Sequence, residues 1–273
     1  MNGNGTIFVG LEALYSMDGD LAPLVEICDI VEALIPAGRA CIVVDEAHST
    51  GIYGRGRGMV EHFGLWERVH IRLHTFGKAM ASSGAVVICD ALTREYLINY
   101  ARSFIFTTAP TVASVIAMGC SFDMIENGTA GRLADQLFRV SARFTDTLRT
   151  RLVGIPARVM ALPPHLLPKS TTIGLEETHL PTPIVPILTP FPRPLAQHLY
   201  QRGFLARPIT HPTVPKGEER VRICLHAANT EEEVDGLVDA LVEWAKVGIQ
   251  VQSQVQTMAT AQSGTVSLPN AKL

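Results

Sequence analysis

The sequence predicts an α/β fold, and three features of its residue pattern lead to that class. Short apolar runs rich in valine and isoleucine alternate with segments whose apolar residues recur at helical spacing. The runs are too short for buried helices, so they are typical of strands. Prolines then become frequent between residues 161 and 194. This change of composition predicts a smaller C-terminal α+β domain after a larger α/β domain.

The first elements follow a strand–helix–strand order. Thr6–Val9, Ala40–Val44 and Ala85–Cys89 are expected to be fully buried strands. The segment between the first two predicts a helix over residues 21–34, ended by a proline and a glycine at 36 and 38. Its expected buried face consists of Leu24, Ile27, Val31 and Leu34. Val69–His74 alternates apolar and polar residues and predicts a half-buried strand.

Later elements are a long helix, a strand and a capped helix. A long helical stretch is expected around Thr111–Leu152. Pro183–Leu188 predicts a strand bounded by prolines, which cannot donate ladder hydrogen bonds. Thr230 and Glu233 form a capping box ahead of a helix over Val234–Trp244. We expect residues 1–130 to belong to the large domain, residues 131–248 to form the small domain, and the polar residues 249–273 to be a disordered tail.

The composition argues against several classes of protein. The 273 residues carry 23 Lys and Arg against 26 Asp and Glu, a net charge of −3, so no basic surplus points to nucleic acid. No apolar run approaches the roughly 18 residues that cross a membrane. Five scattered cysteines without a CxxC pair argue against a disulfide framework and a thiolate metal site, so we expect no metal and a reducing compartment.

The segment CIVVDEAHSTG, residues 41–51, permits two interpretations. DEAH is typical of helicases, which also need a phosphate-binding GxxxxGK[ST] loop upstream, and the residues before Asp45 contain none. The alternative is a strand that presents Asp45 and His48 to an organic cofactor. Lys78 follows in a glycine-flanked turn, between one strand and the next. An acid at a strand end with such a lysine suits pyridoxal phosphate, although a lone lysine would be read as a solvated loop residue.

Five ordered segments resemble the α-oxoamine synthase family: GLEALYSMDGDLAPL, VVDEAHSTGIYGRGRG, HTFGKA, IFTTAP and RPITHPTVPKGEERVRI. These are pyridoxal-phosphate enzymes of the aspartate-aminotransferase fold, fold type I. The resemblance implies part of that large domain followed by the small α+β domain. It begins part-way through the large domain, without the family's early phosphate-binding glycines and ring-stacking histidine. It therefore implies the fold and the site, but not activity of this chain by itself.

The resemblance assigns the cofactor residues. Lys78 would be the Schiff-base lysine and the base for the substrate α-proton, and Asp45 would pair with the pyridine nitrogen. His48 would bind the phenolic oxygen and polarise the thioester. Ser16 and Thr75 match cofactor-contacting positions. Thr107 and Thr108 match a position that reaches the phosphate of a partner subunit's cofactor, which implies a homodimer with shared active sites.

The small domain would supply the substrate contacts. Arg222 matches the arginine that grips the amino-acid carboxylate, with Arg220 as the rival two residues away, and Thr213 matches a substrate-contacting position. The resemblance implies decarboxylative condensation of L-alanine with a pimeloyl thioester of coenzyme A in biotin synthesis. Other reactions of the family, those that make sphingoid bases or 5-aminolevulinate or that transfer acetyl to glycine, remain alternatives. So does a non-catalytic fragment that binds a full-length relative.

The terminal residues Ala271-Lys272-Leu273 resemble the SKL peroxisomal address, with alanine in place of serine. We expect a peroxisomal location if this address is used, and a cytoplasmic one otherwise. His70 and His74 are spaced i, i+4 on a strand, where that spacing does not favour a shared metal ion.

Overall fold

A computed structural model of the protein describes residues 5–167 and 180–263, and it describes side chains as far as residue 248. The chain divides into two compact units, one up to Arg139 and one from Val140 onward. Each unit has its own sheet.

The first unit contains a four-stranded sheet in the order β1-β2-β3-β4. The strands are β1 (Ile7–Glu12), β2 (Ala40–Asp45), β3 (Ile71–Thr75) and β4 (Ala85–Ile88). The first three are parallel, and β4 runs antiparallel to β3. The carboxyl ends of β1, β2 and β3 therefore meet at one edge of the sheet, where open α/β sheets bind their ligands.

Helices connect and follow these strands. They are α1 (Leu24–Leu34), α2 (Met59–His62), α3 (Ala91–Tyr100), α4 (Arg102–Ile105), α5 (Val112–Glu126) and α6 (Thr129–Arg151). The long helical stretch expected around Thr111–Leu152 consists of two helices, α5 and α6. Gly128 separates them with a φ of +78°, a conformation that suits glycine and ends a helix.

None of the three strands that were expected to be fully buried is buried throughout. β2 is central and buries Ile42 and Val44, but β4 is an edge strand in the part of the chain described, and all four of its residues are exposed. β1 forms the opposite edge, and its Phe8 is 70% exposed. An apolar run in the sequence does not distinguish a central strand from an edge strand, because the place of a strand in the sheet depends on segments far away in the sequence.

Two further burial expectations are corrected. The buried face of α1 consists of Leu24, Cys28 and Val31, whereas Leu34 at its end is 77% exposed. Leu34 is the last residue of the helix, one turn beyond the last buried residue, Val31. In β3 the polar His74 is buried while the apolar Ile71 is half-buried, so burial along this strand does not follow the alternation of apolar and polar residues.

The second unit contains a three-stranded antiparallel sheet in the order β5-β7-β6. Its elements are β5 (Ile184–Leu188), α7 (Pro192–Gln201), β6 (Arg207–Ile209), β7 (Arg220–Cys224) and α8 (Glu231–Ser263). The capping box of α8 is confirmed, with the Glu233 amide donating to Thr230 Oγ1 at 3.2 Å and the Thr230 amide donating to Glu233 Oε2 at 3.1 Å. Ion pairs of Arg143 with Asp235 and of Arg151 with Asp239 join α6 to α8.

The limits of the units differ in detail from those expected. A boundary near residue 130 would fall at the start of α6, whereas the two compact units divide within that helix. α8 continues to Ser263, past residue 249 where the disordered tail was expected, because residues 249–263 contain no proline or glycine to end it. The last ten residues, including Ala271-Lys272-Leu273, lie outside the described residues. Among the helices described, none combines the length and apolar character of a transmembrane segment.

Candidate functional site

The predicted cofactor residues follow three neighbouring parallel strands. Glu12 at the end of β1 pairs in register with Asp45 at the end of β2, and Asp45 pairs with Leu73 of β3. Ser16 lies half-buried in the turn after β1, His48 lies half-buried in the turn after β2, and the lysine turn follows β3. The topology thus brings these residues to one edge of the sheet.

Asp45 and Thr75 lie on the same face of this edge. Asp45 is opposite Leu73, and Thr75 is two residues further along β3, so the side chains of all three point to one side. The Ala47 amide donates to Asp45 Oδ1 at 2.8 Å, which orients the carboxylate. Thr75 Oγ1 is buried and has no hydrogen-bond partner among the described residues. An unsatisfied buried hydroxyl is costly, so Thr75 Oγ1 is available to bond a ligand atom at this edge.

Lys78 lies in a closed turn with buried anchors on either side. The turn is closed by three backbone hydrogen bonds: Phe76 N to Gly84 O at 2.9 Å, Ser82 N to Phe76 O at 2.8 Å, and Ala81 N to Lys78 O at 3.0 Å. Phe76 and Met80 are buried, whereas Lys78 is exposed. The backbone of the lysine is therefore held while its amine stays accessible.

Gly51 brings the His48 loop against the lysine turn. A Cβ on Gly51 would lie 2.8 Å from the Ala79 Cβ, closer than side chains approach in folded proteins, and Gly51 has a φ of +83°. Only glycine satisfies both conditions. Sequence reasoning missed this contact, because the sequence shows a glycine in a loop but not what approaches it.

Glu46, between the two predicted cofactor residues of DEAH, has a structural role that the sequence did not reveal. Its carboxylate is fully buried and accepts from the Met59 amide at 2.7 Å and the Val60 amide at 2.8 Å, and it also binds the Ser49 hydroxyl. These amides belong to the first two residues of α2, so Glu46 caps that helix although it lies 13 residues earlier in the sequence than Met59. A charged residue after a strand is normally read as solvated, and nothing in the sequence distinguishes this one.

His70 and His74 both make structural hydrogen bonds. The Ile42 amide donates to His70 Nδ1 at 3.1 Å. Thr50 Oγ1 donates to the Glu46 carbonyl at 2.7 Å, so His74 Nδ1, 2.8 Å away, donates its proton to Thr50. Burial lowers the pKa of His74, which favours this neutral form. Among the described residues no group of three or more potential ligands could hold a metal ion.

Thr107 and Thr108 lie in the exposed segment between α4 and α5. Their role toward a partner subunit's cofactor stays a prediction. A cavity of about 870 Å³ is present elsewhere in the first unit, lined by the loop at residues 52–57 and by α5 and α6. None of the predicted cofactor residues lines it, and its three arginines are matched by three acids.

The predicted substrate residues belong to the second unit. Arg222 is half-buried on β7, beside the Cys224 thiol. Burial raises the pKa of this thiol, and the positive charge of Arg222 offsets part of the rise. The rival Arg220 is 2% exposed, and its guanidinium donates to the Glu218 carbonyl at 2.9 Å. Thr213 is exposed in the loop before β7. Both arginines make interactions within the chain, and the assignment of Arg222 as the carboxylate ligand stays a prediction.

The parallel sheet with an acid, a hydroxyl and a lysine turn at its carboxyl edge is that of a pyridoxal-phosphate-dependent transferase of fold type I. Residues 2–241 match the family described as aminotransferase class I and II. The chain belongs to this family, and its relatives are α-oxoamine synthases, which depend on pyridoxal phosphate.

Two curated relatives carry different names. The chain is 42% identical to 8-amino-7-oxononanoate synthase of Emericella nidulans over 89% of its own length and 56% of that protein. It is 37% identical to aminoacyl transferase sphA of Aspergillus fumigatus, covering 92% of the chain and 53% of that protein. The chain thus spans about half the length of the curated relatives it matches.

Solved structures show the same fold. Serine palmitoyltransferase of Sphingomonas wittichii superposes with a TM-score of 0.71 at 24% identity, over 89% of this chain and 56% of that one. 8-Amino-7-oxononanoate synthase of Francisella tularensis gives 0.69 at 22% identity, over 90% and 65%. The two TM-scores are nearly equal, so the similarity in fold does not distinguish between the reactions of these two enzymes.

Proposed function

We propose that this chain binds pyridoxal phosphate through Lys78 and takes part in the condensation of an amino acid with an acyl thioester. The observation that carries the proposal is the convergence of Asp45, Thr75 and the Lys78 turn at one edge of the sheet, where the Thr75 hydroxyl is buried without a partner. A hydroxyl, a carboxylate and a primary amine are the groups that this cofactor needs around its ring.

Each residue would act in a defined way. When bound, the cofactor supplies an electron sink that makes the α-proton of an amino acid acidic. Asp45 would keep the pyridine nitrogen protonated, and the Ala47 amide fixes the orientation of its carboxylate. Lys78 Nζ would attach the cofactor and then remove the α-proton, for which its exposed position at the tip of a closed turn is suited. His48 would donate to the thioester carbonyl oxygen as negative charge develops there.

The substrates proposed are L-alanine and pimeloyl coenzyme A, and the product is 8-amino-7-oxononanoate. This choice is supported by the 42% identity to a fungal enzyme of that name. The α-carbon of alanine attacks the thioester carbonyl, coenzyme A leaves as the thiol, and the resulting β-keto acid loses its carboxylate as carbon dioxide. Arg222 would bind the alanine carboxylate bidentately and so set the orientation of the α-carbon.

A second candidate is condensation with a long-chain acyl thioester. It is supported by the sphA relative and by the superposition on serine palmitoyltransferase. The two candidates differ in the amino acid and in the length of the acyl chain, and they share the residues named above.

Release of coenzyme A thiol distinguishes the candidates. The purified chain with pyridoxal phosphate is assayed with L-alanine and pimeloyl coenzyme A, with L-serine and palmitoyl coenzyme A, and with glycine and succinyl coenzyme A. We expect thiol release with the first pair, and none from Lys78→Ala. Release with the second pair alone would replace the proposed substrates, and release that persists in Lys78→Ala would refute the site.

We also propose that the protein is a homodimer that shares its active sites. The first unit exposes many large apolar side chains on β4 and the helices after it. They include Val86, Val87, Ile88, Leu92, Tyr96, Tyr100, Phe104, Phe106, Val112 and Ile116. A concentration of exposed apolar side chains on neighbouring elements is typical of a protein interface. Light scattering during size-exclusion chromatography is expected to give twice the chain mass. A monomer that instead co-purifies with a full-length relative would favour the non-catalytic fragment.

A further inference from the structure

One face of α5 lies against the lysine turn. Ser114, Met118, Ser121 and Ile125 are spaced by three or four residues, which places them in one row along a helix. Met118 and Ile125 pack against Phe76 and Met80, the buried anchors of the turn. The two serines of the row stand beside these apolar contacts.

Two serine hydroxyls join the lysine turn to α5, one donating from α5 to the turn and the other from the turn to α5. Ser121 Oγ donates to the Met80 carbonyl at 2.8 Å, and Ser82 Oγ donates to the Ser114 carbonyl at 2.9 Å. Met80 and Ser82 flank Ala81 in the sequence. The turn is therefore tied to α5 immediately before and immediately after this alanine.

Ala81 has a backbone conformation that alanine avoids. Its φ is +49°, in the left-handed region where a Cβ crowds the following carbonyl oxygen. Non-glycine residues keep such a conformation only when the surrounding structure imposes it. The two hydroxyl hydrogen bonds hold the residues on either side of Ala81, and the Ser82 amide also donates to the Phe76 carbonyl at 2.8 Å. The Ala81 amide in turn donates to the Lys78 carbonyl at 3.0 Å.

We propose that Ser121 and Ser82 are positioning residues for Lys78. They hold Ala81 in its strained conformation, and the Ala81 amide holds the backbone of the lysine at the tip of the turn. The inference rests on the proposed function, because it treats Lys78 as the amine that takes the cofactor. It adds that helix α5, which contributes none of the cofactor residues, sets where that amine lies.

Hydrogen–deuterium exchange on the purified chain without cofactor tests the hold on the turn. In Ser121→Ala and in Ser82→Ala, we expect the amides of residues 76–84 to exchange roughly twofold to tenfold faster, the loss of one net hydrogen bond. The amides of β2 should keep their rates. Ser121→Thr retains the hydroxyl and should restore slow exchange. Ser141→Ala is the matched control, because its hydroxyl is also buried but has no hydrogen-bond partner among the described residues.

Covalent labelling tests the consequence for Lys78. Pyridoxal phosphate is added, borohydride fixes it to the amines with which it has reacted, and peptide mass spectrometry compares Lys78 with the exposed Lys216 and Lys246. We expect preferential labelling of Lys78 in the unmodified chain and in Ser121→Thr. In Ser121→Ala and in Ser82→Ala, labelling of Lys78 should be roughly twofold to tenfold slower.

Each outcome decides a different claim. Preferential Lys78 labelling that is unchanged in both alanine variants would overturn the positioning role and leave the proposed function intact. Absence of preferential labelling in the unmodified chain would overturn the proposed function, and this role with it. Faster exchange across the whole first unit would show that the serines contribute to stability alone.

Discussion

Substitution of Gly51 by alanine should displace the lysine turn. The added Cβ would lie 2.8 Å from the Ala79 Cβ, so the two segments must separate by about 0.6 Å to reach an ordinary contact of 3.4 Å. Overpacking of this kind costs about 1–3 kcal/mol. The φ of +83° adds about 1–2 kcal/mol for any residue with a Cβ. We expect Gly51→Ala to lower the free energy of unfolding by about 2–5 kcal/mol.

Gly38→Ala is the matched control. Gly38 has a similar φ of +76°, but a Cβ there would meet no atom within 4 Å. It should therefore lose only about 1–2 kcal/mol, the backbone part. Both substitutions change the entropy of the unfolded chain equally, so their difference isolates the contact with Ala79.

Urea denaturation measures both variants, and labelling of Lys78 by pyridoxal phosphate and borohydride measures the effect on the turn. We expect slower labelling in Gly51→Ala and no change in Gly38→Ala. Equal destabilisation of the two variants, or full-rate labelling in Gly51→Ala, would refute the idea that Gly51 fixes the approach of the two segments.

Three further outcomes follow from the geometry. Burial lowers the pKa of His74, so the unfolded chain takes up a proton there at a higher pH than the folded chain does. Stability should therefore fall as the pH drops through about 6.5, by at most about 1.4 kcal/mol per pH unit. His74→Gln should show a weaker pH dependence in urea denaturation between about pH 7.5 and 5.5. Glu46→Gln would place the amide group of glutamine against the Met59 and Val60 amides, which donate hydrogen bonds, and should lower the free energy of unfolding by about 1–3 kcal/mol. Glu61→Gln, at an exposed position, should change it little. Equal effects of the two substitutions would contradict the capping role of Glu46. Arg222→Ala should raise the KM for the amino acid by roughly 10- to 100-fold. Arg207 lies opposite Arg222 on β6, and Arg207→Ala should leave this KM unchanged. A changed kcat with an unchanged KM in Arg222→Ala would argue against a contact with the substrate carboxylate.

Local chemistry made several elements predictable. The apolar run before Asp45 gave a strand that ends at Asp45, and the Thr230–Glu233 spacing gave a capping box. Lys78 could be singled out because a lysine between glycine and alanine, after one strand and before another, has few structural reasons to be there. These features depend on residues close together in the sequence.

Features that depend on distant residues were not predictable. The strand β4 has the composition of a core strand but lies at an edge, and Gly51 looks like any loop glycine until Ala79 is seen beside it. Ser121 is an ordinary helix residue, and its hydrogen bond to Met80 spans 41 positions. Packing partners are set by the fold as a whole, so a single sequence does not identify them.

The visible absorption spectrum of the purified chain with added pyridoxal phosphate tests the central claim most directly. We predict a yellow band from the adduct with Lys78, absent in Lys78→Ala and retained in a variant of an exposed reference lysine, Lys216→Ala. A band of equal strength in Lys78→Ala, or no band in the unmodified chain, would contradict the assignment of Lys78 as the cofactor amine.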